Sequence, residues 1–298
     1  MNTNQFLLVG FISYVVVFMT AIVVLVKRRR LNRGERPPLE FNLLRAPGES
    51  LRRKISKLDA DLWFHLLGAV LAPLGATCLI ILILTKTAPH MSLWLALTIL
   101  VVCLLVCAGI GVVWVQRRLR CIENHQTGYM GERAVGESLE PLLTEGYRVF
   151  HDIPATAGDR KFNLDHVAVG PTGLFLIETK TRRKGRARPG FKDHEVTYDG
   201  TLLIWPWAED RHGLKQALNE AKWLTEWVEK MLGLKIAAKP ILALPGWYVK
   251  ATARGPVNVV NHKGLVAAIK GRGQVELTSE QIDLIARQLD AVCRDVTD

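Results

Sequence analysis

One hairpin signal constrains the fold of this chain more than any other feature. Residues 163–169 and 174–180 are mostly apolar and rich in branched or aromatic side chains, and the stretch 170–173 between them has turn chemistry. If Gly170 and Gly173 close a four-residue turn, Asp165 lies directly opposite Glu178, with Cβ atoms about 5 Å apart. The sequence therefore predicts two acids side by side at the open end of an antiparallel hairpin.

The register of this hairpin decides whether the two acids share a face. The expected partners are 169 with 174 and 167 with 176, although Pro-Thr is not a preferred two-residue loop. A longer loop or a bulge would change the pairing, and a slip of one residue would move one acid to the opposite face. Since both strands are apolar on both sides, we expect central strands covered by helices.

Two acids this close repel each other unless a proton or a cation lies between them. Lys180 lies two residues beyond Glu178 and so shares its face. This face fits a metal-ion site with a lysine at its edge. It fits equally well a pair of strand-end acids, Asp165 and Glu178, that pair with nearby arginines. The strands alone leave both interpretations open.

Three long apolar segments dominate the first 115 residues of a chain that is 49% hydrophobic. They cover residues 6–26, 62–84 and 93–115, and about 20 apolar residues are enough to cross a bilayer. A signal peptide does not fit the first segment, because the basic run 27–30 follows it instead of preceding it. The sequence predicts a three-helix transmembrane region.

The loops between these segments give their orientation. Basic residues are dense in the linker 27–61 and again in 116–120, whereas the loop 85–92 carries only Lys86. By the positive-inside rule the N-terminus lies outside and the chain from Gln116 onward is cytoplasmic. We expect a three-span protein of a bacterial inner membrane.

Neither the net charge nor the cysteine content identifies a binding partner of this protein. The net charge of +11 is partly explained by the basic juxtamembrane segments, which suit anionic lipids without any nucleic acid. None of the five cysteines forms a CxxC pair, so neither a zinc site nor a disulfide framework is indicated.

The C-terminal part is long enough for one α/β domain. A helix is predicted over 126–145, where Pro141 kinks or restarts it. Glu132 falls on the apolar stripe of this helix, and Glu137 points away from it. A buried acid must be paired or must bind a ligand, unless Glu132 stays wet at the helix start. The stripe consists of Val135, Leu139, Leu142 and Leu143.

A basic loop follows directly after Lys180, where it could hold a polyanion over the acids, although such runs are usually only solvated. Its basic residues are Arg182, Arg183, Lys184, Arg186 and Arg188. The other predicted elements are strands at 147–153, 195–198, 202–205, 241–244 and 257–260, and helices at 214–232 and 279–293.

The helix over 214–232 has a clear apolar stripe that begins at Leu214. Gln216, Glu220, Trp223 and Trp227 line roughly the opposite side. We interpret the two tryptophans as packing residues, with base stacking and a membrane-interface position as lesser alternatives.

Several ordered pieces resemble a known family. Glu132 in the first helix, Asp165 in the second strand and Glu178-Thr179-Lys180 in the third follow the order of the restriction-endonuclease-like core. More narrowly, residues 128–132, 163–173, 175–180 and 214–217 resemble the nuclease-related domain family, NERD. The resemblance covers approximately residues 128–232. One departure is His212-Gly213, where the family commonly has Asn-Pro.

The resemblance implies a fold and residue roles. The fold would be an αβββαβ core with a mixed central sheet flanked by helices, as a domain at 116–235 with an extension at 236–298. Asp165, Glu178 and the Thr179 carbonyl would ligate Mg²⁺ or Mn²⁺, and Lys180 would position or help to deprotonate the attacking water. Glu132 would be an additional acid, and Gln216 would support the site.

These features lead to a membrane-anchored, metal-dependent nuclease that acts on DNA, with RNA as a second candidate substrate, at the cytoplasmic face. The alternative is a nucleic-acid-binding or regulatory membrane protein that retains the fold without catalysis. A third hypothesis is a different phosphoryl substrate. Association into a homo-oligomer is left open.

Overall fold

The described part of the chain forms two compact units. The computed structural model describes residues 43–62, 92–271 and 276–294, together with the single residues 68, 75, 79 and 83. One unit includes the described residues of 57–122, and the other includes those of 41–56 and 123–298. The predicted span at 6–26 lies outside the described residues, as does most of the span at 62–84.

The long helix α2 corrects the predicted boundaries. A helix over 49–62, α1, comes first, and α2 then runs without interruption over Leu93–Leu139. The expected span at 93–115 and the expected helix at 126–145 are thus parts of one element. Among the described residues, no helix has both the length and the hydropathy that crossing a membrane requires. The transmembrane region therefore stays a prediction.

Pro141 ends α2, as its ring geometry requires. The chain continues as a 3₁₀ turn over Glu140–Glu145, which closes at Gly146 in the left-handed region with φ 82°. Leu142 is buried, but Leu143 is 50% exposed, so its assignment to the apolar stripe was wrong. The reason is the tighter 3₁₀ winding, which rotates Leu143 away from the side on which Leu139 is buried.

A five-stranded mixed sheet forms the centre of the larger unit. Its order is β1-β2-β3-β7-β9, with the first three strands antiparallel and the last three parallel. The strands are β1 (Arg148–Ala157), β2 (Arg160–Gly170), β3 (Gly173–Thr179), β7 (Ala238–Ala243) and β9 (Asn258–Val260). Every residue of β3 is buried, as expected for a central strand covered on both faces.

A second sheet of four strands was only half predicted. The expected hairpin is present as β4 (Glu195–Tyr198) and β5 (Leu203–Ile204), with Tyr198 paired to Leu203. The sheet is completed by β6 (Glu209–Asp210) and β8 (Tyr248–Ala251), in the order β6-β5-β4-β8. Neither added strand has the apolar alternation on which strand prediction depends.

Helices cover both faces of the central sheet. The predicted helices at 214–232 and 279–293 are confirmed as α3 (His212–Leu232) and α5 (Ser279–Cys293), and a short α4 (Leu265–Lys270) was not predicted. α3 and α5 bury one face of the sheet, whereas α2 and α4 bury the other. The result is the mixed, helix-flanked α/β sheet expected for a nuclease-like core.

Part of the basic linker packs against this unit. Arg45 Nη1 donates to the main-chain oxygen of Asp152 at 2.9 Å, and the Ser50 amide donates to Asp152 Oδ2 at 2.7 Å. Gly48, with φ 75°, lies so close to Tyr129 that a Cβ atom there would be 2.7 Å from its ring. Residues 45–50 are therefore hydrogen-bonded to Asp152 of β1 and packed against Tyr129 of α2.

Candidate active site

The β2–β3 hairpin has the register that the sequence predicts. Val169 pairs with Leu174 and Val167 with Leu176, closed by Gly170 opposite Gly173. The pairing continues to His166 with Ile177, so Asp165 is next in line opposite Glu178. The Thr179 amide donates a hydrogen bond to Asp165 Oδ2 at 2.8 Å. The acid pair therefore lies at the open end of the hairpin.

A chain of polar contacts links β3 to α3 through Lys180. Lys180 Nζ lies 2.7 Å from Glu178 Oε1 and donates to Gln216 Oε1 at 2.9 Å. Gln216 Nε2 in turn donates to Glu220 Oε1 at 2.9 Å. Gln216 is indeed off the apolar stripe of α3, as the sequence indicates, but that side of the helix faces the lysine. The structure thus brings Gln216 to the predicted site.

Glu220 is a site residue that the sequence did not indicate. It is only 6% exposed and lies close enough to Glu178 for its charge to act on that carboxyl. Burial and the neighbouring Glu220 charge raise the pKa of Glu178 to about 8. Burial is also the main cause that raises the pKa of Glu220. One signal was available, since Glu220 lies one helical turn from Gln216.

Glu132 completes a group of buried acids. It is 8% exposed on α2, whereas Glu137 faces solvent beside Arg133. Burial first, and the charge of Asp165 second, raise the pKa of Glu132 to about 9. Burial and the charge of Glu178 likewise raise the pKa of Asp165 well above its usual value. These acids cannot all be ionised together without added positive charge, of which Lys180 supplies one unit.

Asp152 extends the row of acids to a third strand. The pairs of His151 with His166 and Ile153 with Leu164 place Asp152 opposite Asp165. Asp152 has a positive φ of 50°, which is uncommon outside glycine, and Asn163 Nδ2 donates to its Oδ1 at 2.7 Å. The two carboxylate oxygens of Asp152 accept hydrogen bonds from Asn163 and from Ser50 of the linker. Asp152 therefore stabilises the site as a neighbouring residue.

The loop after Lys180 is more constrained than a solvated basic run. Arg182 pairs with Asp210 and lies over the Trp205 ring at 5.0 Å, and Lys184 lies over Trp247 at 5.9 Å. Arg183 Nη1 is 3.4 Å from Glu123 Oε2, and Arg188 Nε donates to the Pro206 oxygen at 3.3 Å. Arg186 is exposed. The loop is thus fixed to the second sheet and to α2.

The donor atoms of the site suit a hard cation. Glu178 Oε2 and Thr179 Oγ1 are buried and have no hydrogen-bond partner among the described residues. Carboxylate oxygens are the ligands that Mg²⁺ and Mn²⁺ prefer. Within the described ranges, no group of three or more His, Cys, Asp or Glu side chains is arranged to hold a metal ion. Asp165, Glu178 and a main-chain oxygen would supply only two such side chains.

Gly131 allows α2 to approach the segment that follows Lys180. A Cβ atom at Gly131 would lie 1.8 Å from Thr181 Oγ1. We expect Gly131→Ala to lower the free energy of unfolding by about 2 kcal/mol, because overpacking outweighs the better helix propensity of alanine. Thermal unfolding measured by circular dichroism would show the loss.

Two further variants isolate this contact. Gly109→Ala lies in the same helix, where no atom of the described residues is within 4 Å of the added Cβ atom, and should be neutral or slightly stabilising. Thr181→Ala removes the clashing hydroxyl, so the double variant with Gly131→Ala should regain most of the loss. A single Gly131→Ala variant as stable as the parent would contradict the close approach.

The segment that contains these site residues matches the model of a known protein family. Residues 127–245 match the family model of the nuclease-related domain, NERD. The NERD match includes Glu132, Asp165, Glu178, Lys180 and Gln216, and extends the resemblance seen in the sequence beyond residue 232 to the end of β7. It covers less than half of the chain. Comparison with curated proteins found no match, and comparison with solved structures found none either.

Proposed function

We propose that this protein is a metal-dependent nuclease that hydrolyses phosphodiester bonds of DNA, with RNA as the second candidate. The observation that carries the proposal is the buried contact between Glu178 and Lys180 at 2.7 Å, beside Asp165, in a segment that matches a nuclease-related domain. Buried acids with strongly raised pKa values beside a lysine are candidates for a functional site.

Asp165, Glu178 and the Thr179 carbonyl would hold Mg²⁺ or Mn²⁺. When bound, such an ion neutralises phosphate charge and makes a bound water a better nucleophile. Support comes from the unpartnered Glu178 Oε2 and from the raised pKa values of both acids, which a cation would lower again.

The remaining residues have separate roles in this proposal. Lys180, whose pKa is raised by the neighbouring Glu178 charge in spite of its burial, stays an ammonium group that positions the attacking water and stabilises the negative charge that develops on the phosphate. Gln216 holds the ammonium group of Lys180 in place through its Oε1 atom. Glu132, with its raised pKa, provides a protonated carboxyl or an additional acid near the same centre.

The basic loop would contact the nucleic-acid backbone. Arg186 and the half-exposed guanidinium group of Arg183 offer positive charge beside the site. Internal contacts hold the side chains of Arg182, Lys184 and Arg188. These three residues would therefore contribute positive electrostatic potential and would keep the loop rigid.

The proposal includes membrane attachment, with the nuclease-like domain at the cytoplasmic face and anionic lipids at the basic linker. It rests on the apolar segments and basic flanks of the sequence. The proposal leaves the oligomeric state open.

A second candidate is a nucleic-acid-binding protein that has kept this fold without catalysis. The observation that favours it is that the described residues contain no group of three metal-binding side chains. It predicts binding that weakens steeply with salt and no metal-dependent product.

Replacing Glu178 separates the two candidates. We expect the full-length protein, purified in detergent, to cleave DNA with Mn²⁺ or Mg²⁺, and Glu178→Gln to lower the rate by at least about 100-fold, because the ligand charge is lost. Gel analysis of labelled DNA gives the rates. Glu137→Gln, an exposed acid on α2, serves as the matched control and should cleave normally. Equal rates for both variants would refute the nuclease assignment.

A further inference from the structure

A cleft of about 500 Å³ lies between the β1–β2 turn and α3. Ala157 and Arg160 form its strand side, and the outer surface of α3 from His212 to Glu226 forms the other. Its volume is within the range of roughly 300–1,000 Å³ that is typical of small-molecule sites. The cleft can therefore take a group the size of a nucleotide.

The inner side of this cleft and the acid cluster share two residues. Gln216 and Glu220 line the cleft, and the same two side chains make the contacts that lead to Lys180 and Glu178. A group bound in the cleft would therefore be a neighbour of whatever is bound at the acids.

An aromatic wall with fixed orientation lines the outer part of the cleft. The rings of Phe162 and Trp223 meet edge to face with centroids 5.5 Å apart, and Trp223 stacks on Trp227 at 6.1 Å. Trp223 Nε1 donates to the Thr156 oxygen at 3.1 Å, which fixes the indole ring. Half-exposed aromatic rings held in this way bind flat, unsaturated rings by stacking.

Positive charge surrounds the mouth of the cleft. Arg160, Lys215 and Lys222 are all exposed there, and Arg160 lies 6.0 Å from the centre of the Phe162 ring. The Lys222 ammonium is 3.8 Å from Glu226, an exposed pair that is worth little energy. Arg160 and Lys215 thus offer charge to a phosphate, while the Asn219 amide offers donors and acceptors to a base edge.

We propose that this cleft binds one unstacked nucleotide of single-stranded DNA, next to the scissile phosphate. Stacking on an aromatic wall together with basic side chains at the mouth is the chemistry by which proteins bind single strands. In a duplex, every base is already stacked, and bringing one into the cleft would cost unpairing energy. The inference rests on the proposed nuclease function, because it assigns the substrate class of that same site.

Binding, measured without cleavage, tests this inference. With EDTA present, fluorescence anisotropy of a labelled oligothymidylate should show affinity for the full-length protein at least about tenfold higher than for a duplex of equal length. Trp223→Leu should weaken the single-strand affinity about tenfold, whereas Trp223→Phe, which keeps an aromatic ring, should lose much less.

Charge variants provide a second measurement that does not disturb the aromatic packing. Arg160→Glu and Lys215→Glu should each weaken single-strand binding about tenfold and reduce its salt dependence. Arg287→Glu, an exposed arginine on α5 outside the cleft, is the matched control and should change affinity little. Equal affinity for single strand and duplex, or cleft variants that bind like the control, would overturn the inference.

The two proposals fail in different ways. Single-strand binding through the cleft without any metal-dependent cleavage would refute the nuclease function and leave the cleft assignment standing. Normal cleavage of single-stranded DNA by Arg160→Glu and Trp223→Leu would keep the nuclease function and refute the cleft assignment.

Discussion

Lys180→Met should reduce the rate of DNA cleavage by roughly 100- to 1,000-fold, the range expected for losing a charged donor that stabilises the transition state. The side chain lies between two elements of the site, because its Nζ atom contacts Glu178 on β3 and Gln216 on α3. Methionine keeps most of the apolar stem and removes only the charge and the donors. The loss should therefore be in kcat, with KM changed little.

The removal of Lys180 should also change its neighbour. Its ammonium is the charge that lowers the pKa of Glu178, so Lys180→Met should raise that pKa further and shift the pH dependence of residual activity upward. A lysine remote from Glu178 would not shift the pH profile.

Lys239→Met is the matched control for Lys180. Lys239 lies on β7, the strand next to β3, and pairs with Glu276 away from the acid cluster. It should retain full activity. If Lys180→Met cleaved at the rate of the Lys239 variant, the proposed role of Lys180 would be wrong.

The hairpin at the centre of the site could be predicted because its signal is local. Apolar runs on either side of a glycine-bounded turn determine which residues face each other, and the structure shows the expected pairs through Gly170–Gly173. Lys180 and Glu178 then follow from the alternation of side chains along one strand.

Glu220 could not be found in this way, because α3 packs against two cores. Leu214 and Ala217 pack with the second sheet, whereas Ala221, Leu224 and Val228 pack on the central sheet. A helical wheel with a single apolar stripe assigns everything else to solvent, although Glu220 lies where the two packed faces meet. The missing information was the second sheet, whose shortest strands carry almost no sequence signal.

The continuity of α2 was missed for a different reason. The composition changes from apolar to basic near residue 116, and this change predicts a boundary between two helices. Residues 116–126 contain neither glycine nor proline, however, so no helix stop is present. Composition indicates whether a segment lies in apolar or aqueous surroundings. The positions of helix ends depend instead on helix-breaking residues and capping residues.

The acid cluster should make the metal-free protein less stable as the pH rises from 7 to 9. The pKa of Glu178 is raised to about 8 and that of Glu132 to about 9, from an ordinary value of 4.5. The folded state therefore holds protons that the unfolded chain releases, and the stability they provide is lost as the pH rises through the folded pKa values. We expect a decrease on the order of 1 kcal/mol per pH unit.

The window above pH 7 separates this effect from the buried histidines. Burial lowers the pKa of His151 to about 4 and that of His166 well below its usual value. Their contribution to stability is present above pH 6.5 and is lost as the pH falls, which is the opposite sign. Between pH 7 and 9 both rings are neutral in the folded state and mostly neutral in the unfolded state, so the carboxyl groups dominate the slope.

Thermal unfolding of the full-length protein in EDTA, followed by circular dichroism, measures this slope. Glu132→Gln and Glu178→Gln should each flatten it, whereas Glu137→Gln should leave it unchanged. Mg²⁺ should raise the unfolding temperature more at pH 9 than at pH 7, because binding needs ionised carboxylates and releases their protons. A melting temperature in EDTA that stayed constant or increased from pH 7 to 9 would show that the acids are ionised without a cation, and the proposed metal centre would lose its electrostatic basis.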